Sequence, residues 1–255
     1  MFPNTVKKDM MNDMKERIES LQNAKIKKWA SLHQKKNRDA LGLFLVEGEH
    51  LISEAMKVGC VEAILYDEEC PFAHERSYYV TPAIMKKLSE NISPVHLIAV
   101  CRKKENKVGE TERLLLLDGV QDPGNLGTLV RSAVSFGFDA VYCSKNTCDI
   151  YNQKTIRSTQ GALFHIPVIY ENLSDLIRVL KNEDFRIFGT ALENGKPLAR
   201  FQPEEKMAFI LGNEGQGVSQ DLLALADENI FIEMHSFDSL NVAVAGGILM
   251  YTFRR

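Results

Sequence analysis

From Arg113 to the end of the chain, short apolar runs alternate with segments of helical periodicity, and this alternation constrains the fold more than any other feature. Strands that alternate with helices predict a parallel sheet that is covered by helices on both faces. The predicted strands are Arg113–Asp118, Ala140–Cys143, His165–Val168, Arg186–Thr190, Met207–Leu211 and Asn229–Ile232. A helix is predicted from about Thr128 to Phe136, after a loop over residues 119–127, and Asn194-Gly195 is a turn signal. The sequence therefore predicts an α/β domain over residues 113–255.

A second, smaller α/β domain is predicted for residues 19–101. Its segments follow the order helix, strand, helix, strand, strand, helix, strand, beginning with a helix over Asn23–Lys36 and ending with a strand over His96–Val100. Residues 102–112 are charged and nearly free of apolar side chains, which is typical of a linker. Residues 1–18 are polar and methionine-rich, and we expect a frayed or helical extension there.

Composition excludes several classes of protein. The sequence has no run of 18 apolar residues, so no membrane span is expected, and its N-terminus lacks the apolar core of a signal peptide. The five cysteines form no CxxC pair, and the six histidines do not cluster with acids, so no metal site is predicted. An odd number of cysteines without a secretion signal favours a cytoplasmic protein.

The charge of the chain is unevenly distributed. The formal net charge is −3, yet six basic residues and one acid lie between Asn23 and Val46. A local basic face can bind phosphate even when the whole molecule is acidic. The candidate phosphate contacts are Lys28, Lys35, Lys36 and Arg38. The alternative is that these side chains form only a solvated helix face.

Three loops in the C-terminal half carry polar residues and glycines that follow buried strands, which is where open α/β sheets bind ligands. The first motif is Asn125, Gly127 and Arg131, with Arg131 on the first turns of the helix that follows the loop. The second is Gly212, Asn213, Glu214, Gly215 and Gly217, and the third is Ser239, Leu240 and Asn241, which open a helix. The guanidinium of Arg131 can hold a phosphate with two parallel hydrogen bonds. The glycines permit close approach of the backbone to a ligand, and the acid among them favours a neutral or cationic ligand over a pyrophosphate.

Each of these motifs also has a purely structural interpretation. Asn125 can be a turn residue that is followed by a surface arginine. The glycine loop can be a tight structural turn, and Ser239 or Asn241 can cap a core helix. Taken singly, the motifs do not decide between these alternatives.

In this order and after these strands, the three motifs resemble those of the SpoU/TrmH family of RNA ribose 2′-O-methyltransferases, which belongs to the trefoil-knotted SPOUT class. The resemblance covers about residues 113–251. The stretch from Asn23 to Ala55 resembles the substrate-binding domain of many members, so nearly the whole chain is included.

The resemblance implies a knotted C-terminal domain that binds S-adenosylmethionine and forms a homodimer. Knots are rare, so general rules of topology would not have predicted one. The implied cofactor-binding residues are Leu211, Gly212, Asn213, Gly217, Phe231, Ile232 and Leu240. The implied catalytic residues are Asn125, Arg131, Glu214, Ser239 and Asn241. Arg131 is expected to anchor the target phosphate and to stabilise negative charge that develops on oxygen, while the others orient the ribose and the loops.

One stretch departs from the family pattern. Glu233 occupies the position where the family usually has proline, and the segment from Ile232 to Asp238 is one residue shorter. The carboxylate of Glu233 can favour the sulfonium cation, or it can simply face solvent.

The predicted function is methylation of a ribose 2′-hydroxyl, with ribosomal RNA favoured because the N-terminal stretch resembles that of ribosomal-RNA members. Transfer RNA is the alternative substrate. Two other classes remain as alternatives: a non-catalytic RNA-binding protein with a degenerate cofactor loop, and a nucleotide-dependent enzyme on an ordinary open sheet. The glycine spacing argues against the second of these.

Overall fold

The computed structural model describes residues 16–105, 107–235 and 239–255. It divides into two compact units, one that ends at Lys104 and one that begins at Glu105. The division falls inside the segment predicted to be a linker. The prediction for residues 1–15 lies outside the described residues. Residues 16–18 were expected to belong to a frayed or helical extension, but they form a strand that pairs with Ser77–Val80.

The first unit is built on a mixed sheet, with helices packed against it. In the described residues the sheet has five strands in the order β1-β4-β3-β5-β2, and β5 runs antiparallel to both of its neighbours. The strands are β1 (Glu16–Ile18), β2 (Leu43–Glu47), β3 (Val61–Tyr66), β4 (Ser77–Val80) and β5 (Leu97–Arg102). The helices are α1 (Ala24–Ala30), α2 (Lys35–Leu41), α3 (Glu49–Lys57) and α4 (Pro82–Leu88).

The single helix predicted over Asn23–Lys36 is in fact two helices joined by a 3₁₀ turn at Ser31–His33. The turn leaves backbone carbonyls without helical partners, and Arg38 satisfies two of them. Its Nη1 donates to the carbonyl oxygens of Leu32 and His33, each at 2.8 Å. Arg38 is buried, with 6% exposure. The prediction that Arg38 contacts RNA phosphate is therefore wrong for this conformation, because its guanidinium holds the turn instead.

The second unit contains the predicted parallel sheet, which is confirmed. Within the described residues it has seven strands in the order β10-β12-β9-β11-β6-β7-β8, and every pairing is parallel. The strands are β6 (Arg113–Leu117), β7 (Ala140–Cys143), β8 (Val168–Tyr170), β9 (Arg186–Thr190), β10 (Lys196–Pro197), β11 (Met207–Leu211) and β12 (Glu228–Phe231). The helices are α5 (Pro123–Ser135), α6 (Gln153–Thr159), α7 (Leu173–Asn182), α8 (Gln220–Leu225) and α9 (Val242–Thr252).

Helices cover both faces of this sheet. On one face, α5 and α9 bury Leu129 and Leu249 against a cluster that includes Phe209 and Phe253. On the other face, α7 and α8 bury Ile177 and Leu222. Because all strands are parallel, their carboxyl ends share one edge of the sheet. The loops after β6, β9, β11 and β12 therefore meet at that edge.

Helix α5 begins five residues earlier than the predicted start at Thr128. The Oδ1 of Asp122 accepts from the backbone N–H of Asn125 at 2.9 Å, and Pro123 occupies the first helical position. This pairing of a capping acid with proline is a strong signal for a helix start. Asn125 and Gly127 therefore lie in the first turns of a helix rather than in a loop.

In the described residues no helix combines the length and the apolar character that crossing a membrane requires. The trefoil knot that the resemblance implies stays a prediction.

Candidate active site

Three polar side chains from distant parts of the sequence form one hydrogen-bonded network at the carboxyl edge of the sheet. The Nδ2 of Asn125 donates to Oε1 of Glu214 at 2.9 Å, and the Nδ2 of Asn241 donates to Oδ1 of Asn125 at 3.0 Å. Asn125 thus uses both ends of its amide to join the loop after β11 to the start of α9. One residue from each predicted motif takes part in this network.

Glu214 is held by more than the Asn125 amide. The backbone N–H groups of Gln121 and Asp122 donate to its carboxylate at 3.1 and 3.0 Å. Burial by itself raises the pKa of Glu214, but the donors from Asn125, Asp122 and Gln121 outweigh it and lower the pKa below its usual value. Glu214 is therefore an ionised hydrogen-bond acceptor at neutral pH and fastens its loop to the start of α5.

The glycine loop is closed upon itself by its backbone. Asn213 and Gly217 exchange two backbone hydrogen bonds, each at 2.9 Å. The Nδ2 of Asn213 donates to the carbonyl of Gly119 at 2.8 Å, which joins the loop to the one after β6. A Cβ at Gly212 would lie 2.0 Å from the carbonyl carbon of Gly217, so only glycine fits there. The loop is a rigid support for the edge of the site.

Asn241 also caps α9. Its Oδ1 accepts from the backbone N–H groups of Ala243 and Val244 at 2.9 and 3.3 Å. The capping role that the sequence left open and the site role are therefore compatible, because the amide nitrogen remains available to bond Asn125. Its neighbour Ser239 is exposed beside the cavity described next.

A cavity of about 530 Å³ lies beside this network. Four of the seven predicted cofactor residues line it: Gly217, Phe231, Ile232 and Leu240. Leu211, Gly212 and Asn213 do not line it. Their structural role is to end β11 and close the glycine loop.

The sequence reasoning missed the loop after β9, which forms another wall of the cavity. Thr190 lines the cavity at the end of β9, and Ala191, Glu193 and Asn194 line it from the loop. Asn194 has a positive φ of 56°. In the sequence, the Asn194-Gly195 pair indicates only a turn. Its position after a central parallel strand was the clue that it borders a ligand site.

The segment that departs from the family pattern is partly described. Met234 is half-buried and lines the cavity, whereas Glu233 is exposed and is not among the lining residues. The alternation of side chains therefore favours the solvent-facing alternative for Glu233. Residues 236–238 of the predicted cofactor loop lie outside the described residues.

Arg131 is separate from the network. It lies in the third turn of α5 with an exposed side chain, and it has no side-chain hydrogen bond or ion pair among the described residues. Six residues of α-helix separate it from Asn125, which corresponds to a rise of about 9 Å and a rotation of about 240°. The guanidinium is therefore available to an external anion, but it does not touch the Asn125 amide.

The remaining titratable residues give no metal centre in the part of the chain that the structure describes, where no group of three or more histidine, cysteine or acidic side chains converges. The fold and the site together define an α/β protein with a helix-covered parallel sheet and a cavity built by loops at the carboxyl edge of that sheet.

Comparisons with known proteins identify the family. The model of the SpoU rRNA Methylase family matches residues 112–251, and that of the MRM3-like substrate binding domain matches residues 23–99. The 23S rRNA (guanosine(2553)-2′-O)-methyltransferase RlmP of Bacillus subtilis (strain 168) is 42% identical over 244 residues, which cover 93% of this chain and 98% of the relative.

Solved structures agree with this assignment. An rRNA methyltransferase from Sinorhizobium meliloti superposes with a TM-score of 0.84 at 26% identity, over 93% of this chain and 96% of that one. The SpoU methyltransferase AviRb from Streptomyces viridochromogenes, in complex with the cofactor AdoMet, superposes with a TM-score of 0.80 at 26% identity, over 91% and 97% of the two chains. The chain belongs to the SpoU rRNA methylase family, and the predicted family, fold class and enzyme class are confirmed.

Proposed function

We propose that this chain transfers the methyl group of S-adenosylmethionine to a ribose 2′-hydroxyl of ribosomal RNA. The observation that carries the proposal is the network of Asn125, Glu214 and Asn241, because it ties the start of α5 to the loop after β11 and to the start of α9, and both of these contribute neighbouring residues to the cavity. Catalysis of a direct transfer between two bound reactants depends mainly on their positioning. A ribosomal RNA substrate is supported by the name of the Bacillus relative, and it agrees with the predicted cytoplasmic location.

The cavity fits S-adenosylmethionine in size and in chemistry. Its volume of about 530 Å³ is that of a small-molecule site. Val218, Leu223 and Leu249 give it apolar walls that suit a flat base. When bound, S-adenosylmethionine supplies an electrophilic methyl group on a positively charged sulfur. The loops after β9, β11 and β12 offer backbone groups to hold the rest of the molecule.

The network residues hold the loops and orient the ribose. Since the pKa of Glu214 is lowered and its carboxylate already accepts three hydrogen bonds, we assign it to positioning rather than to proton removal. The hydrogen bond between Asn125 and Asn241 holds the start of α5 next to the start of α9. We assign Ser239, which is exposed at the cavity edge, to contact with the ribose.

Arg131 is assigned to the phosphate next to the target ribose. An arginine stays charged at neutral pH, so it can hold a phosphate and stabilise negative charge on the attacking oxygen, but it is a poor base. Replacement of Arg131 by alanine is expected to reduce methyl transfer at least a hundredfold and to leave the Kd for S-adenosylmethionine unchanged.

Arg131→Lys is the matched control for this assignment. It keeps the positive charge but loses the planar fork, so its loss of methyl transfer should lie between that of Arg131→Ala and the wild type. Normal turnover of Arg131→Ala would refute the assignment.

RNA selection is assigned to the basic part of the first unit. Lys28 and Lys36 are exposed and have no acidic partner among the described residues. Lys35 is exposed too, and its ammonium pairs with Asp39 at 3.1 Å. We retain these three lysines as phosphate contacts and omit the buried Arg38. Charge reversal of Lys28 and Lys36 should weaken RNA binding and flatten its dependence on salt, because fewer counterions are released.

A homodimer is proposed through the exposed side of α9. Val244, Ile248 and Tyr251 lie on one face of this helix with exposures of 51%, 38% and 55%, and Leu240 extends the face. A stripe of four apolar side chains in water is typical of an interface. Val244→Glu should convert a dimer into a monomer in sedimentation velocity. A wild-type chain that sediments as a monomer at micromolar concentration would refute this part of the proposal.

Calorimetric titration of the purified protein with S-adenosylmethionine separates the proposed enzyme from the alternative of a non-catalytic RNA-binding protein. We expect one binding site per chain and methyl transfer to ribosomal RNA. Binding of RNA without any binding of S-adenosylmethionine would support the degenerate-loop alternative. Methylation of transfer RNA alone would support the other substrate.

A further inference from the structure

The loop between α4 and β5 presents one apolar side chain entirely to solvent. Ile92 is fully exposed, whereas the next most exposed large apolar side chain in the part of the chain that the structure describes, that of Tyr251, is 55% exposed. Isoleucine is normally among the most buried residues, but single apolar side chains on a surface are common. The surroundings of Ile92 therefore decide whether its exposure has a function.

A buried carboxylate holds this loop in place. Glu47, at the end of β2, is only 5% exposed. Its carboxylate accepts hydrogen bonds from the hydroxyl of Ser89 at 3.1 Å, from the backbone N–H of Glu90 at 3.3 Å and from the side-chain amide of Asn91. Burial of a carboxylate is costly unless it is hydrogen-bonded, and here the donors are the three residues that precede Ile92. Ile92 is therefore presented by a loop that is fastened to the core of the first unit.

Positively charged side chains lie beside the loop. The Nδ1 of His33 is 3.1 Å from Oε1 of Glu90, and its Nε2 is 3.1 Å from the carbonyl oxygen of Lys87 at the end of α4. His33 thus brings the loop close to the start of α2, where Lys36 follows three residues later. Lys36 and Lys86 are exposed, and neither has an acidic partner among the residues with described positions. A surface of this charge suits phosphate groups.

An apolar side chain flanked by lysines matches an RNA nucleotide whose base has left the stack. Specific recognition of RNA mostly uses such bases in loops and bulges, whereas an RNA duplex offers mainly its shape and backbone. Apolar wedges, isoleucine among them, insert between bases in complexes with nucleic acid. The lysines favour this occupant over an apolar protein surface, because burial of unpaired ammonium groups costs free energy.

We propose that Ile92 packs against an unstacked base of the substrate RNA, while Lys36 and Lys86 hold phosphates of the same strand. The inference rests on the proposed function and deepens it by naming the feature that the first unit selects, an unpaired nucleotide in a loop or bulge. Glu47 is a positioning residue in this account, because it is buried and acts on the RNA only through the loop that it holds.

The test measures binding of the full chain to protein-free ribosomal RNA from a strain that lacks this gene. Ile92→Ser should raise the Kd for this RNA about tenfold, near the lower end of what burial of one isoleucine contributes. Because no charge is lost, the dependence of this Kd on salt should stay that of the wild type. The Tm and the Kd for S-adenosylmethionine should not change, since Ile92 is fully exposed and is not a cavity residue.

Val179→Ser is the matched control. It removes another exposed apolar side chain, 53% exposed on α7 of the second unit, and should leave the Kd for RNA unchanged.

A photoreactive diazirine side chain introduced at position 92 identifies what the loop touches. We expect crosslinks to nucleotides that are unpaired in chemical probing of the same RNA. Crosslinks confined to paired nucleotides would overturn the assignment of an unstacked base.

Glu47→Gln tests the support of the loop. It replaces one acceptor oxygen by a donor, so the loop loses part of its anchorage, and the Kd for RNA should rise although Glu47 is buried. The losses in Glu47→Gln and Ile92→Ser should not add in the double variant, because both act through one contact. Additive losses would overturn the positioning role of Glu47.

An unchanged Kd for protein-free RNA in Ile92→Ser would overturn the contact between Ile92 and RNA and would indicate a protein partner for the loop, while the proposed methyl transfer would stand. Failure of the wild type to bind ribosomal RNA at all would overturn both.

Discussion

One methyl group added at Gly127 is expected to reduce the rate of methyl transfer more than it reduces the stability of the fold. It lies in α5, where the helix crosses α6 so closely that a Cβ would lie 2.4 Å from Cβ of Ser158 and 2.9 Å from the carbonyl oxygen of Thr155. Carbon atoms in contact are normally about 3.5–4.0 Å apart, so Gly127→Ala must move the two helices apart by about 1 Å. One of the obstacles is backbone, which cannot rotate away.

The expected change in the free energy of unfolding is a difference between two terms. Overpacking costs about 1–3 kcal/mol. Replacement of glycine by alanine inside a helix returns about 1 kcal/mol. The net loss is therefore about 0–2 kcal/mol, which lowers Tm by at most about 8 °C for a domain of this size. The variant should remain folded.

The effect on activity should be larger than the effect on stability. Asn125 lies two residues before Gly127, and a shift of about 1 Å would stretch its hydrogen bonds to Glu214 and Asn241, now 2.9 and 3.0 Å. Misplacement on this scale can reduce a reaction rate about a hundredfold. Single-turnover methyl transfer, calorimetry with S-adenosylmethionine and thermal unfolding measure the three quantities separately.

Ser135→Ala is the matched control in the same helix, since Ser135 is exposed and lies eight residues, about 12 Å, along α5 from Gly127. It should change neither activity nor stability appreciably. If Gly127→Ala raised Tm and kept full activity, the close crossing of α5 and α6 would not be what positions Asn125.

Three further predictions follow from individual contacts. Phe253 is fully buried and stacks on Phe209 with 4.9 Å between ring centroids, so Phe253→Ala should lower the free energy of unfolding by about 3–5 kcal/mol in urea titration; a loss below about 1 kcal/mol would contradict the packing. The folded-state pKa of Glu214 is lowered from the reference value of 4.5, so its stabilising contribution is present above that pH and is lost as the pH falls through the folded pKa. The difference in free energy of unfolding between the wild type and Glu214→Gln should thus be largest near pH 7 and should shrink toward pH 3. A difference that grows as the pH falls would contradict the lowered pKa of Glu214. Arg38→Ala should lower Tm without changing the salt dependence of RNA binding. Lys36→Ala should weaken the salt dependence of RNA binding without lowering Tm. Equal salt slopes for Lys36→Ala and the wild type would count against the basic face as an RNA contact.

The layers of the fold could be predicted from sequence because they depend on local patterns. Apolar runs such as Met207–Leu211 are long enough to mark buried strands, and their alternation with helices implies a parallel sheet. Local signals also marked the start of α5, but the Asp122-Pro123 pair was assigned to the preceding loop instead of to the helix cap. That error displaced the helix start by five residues.

The meeting of Asn125, Glu214 and Asn241 could not be predicted from local patterns. Glu214 lies 89 positions and Asn241 lies 116 positions after Asn125 along the chain. Only the arrangement of the strands brings the three residues together. The resemblance to a known family supplied this grouping. The burial of Arg38 could not be predicted from the sequence either. A helix rich in lysine and arginine gives no local sign that one of its arginines turns inward and donates to backbone carbonyls.

The loop after β9 was missed for a related reason. Its significance depends on the cavity, and the cavity exists only once β9, β11 and β12 lie side by side.

Mapping of ribose methylation in ribosomal RNA tests the central claim most directly. Ribosomal RNA from a strain that lacks this gene is incubated with the purified protein and S-adenosylmethionine, and 2′-O-methyl groups are mapped by mass spectrometry of nuclease fragments. The account predicts one new 2′-O-methylated nucleotide with the wild type and none with Arg131→Ala. Methylation on a base, or no methylation while S-adenosylmethionine is bound, would contradict it.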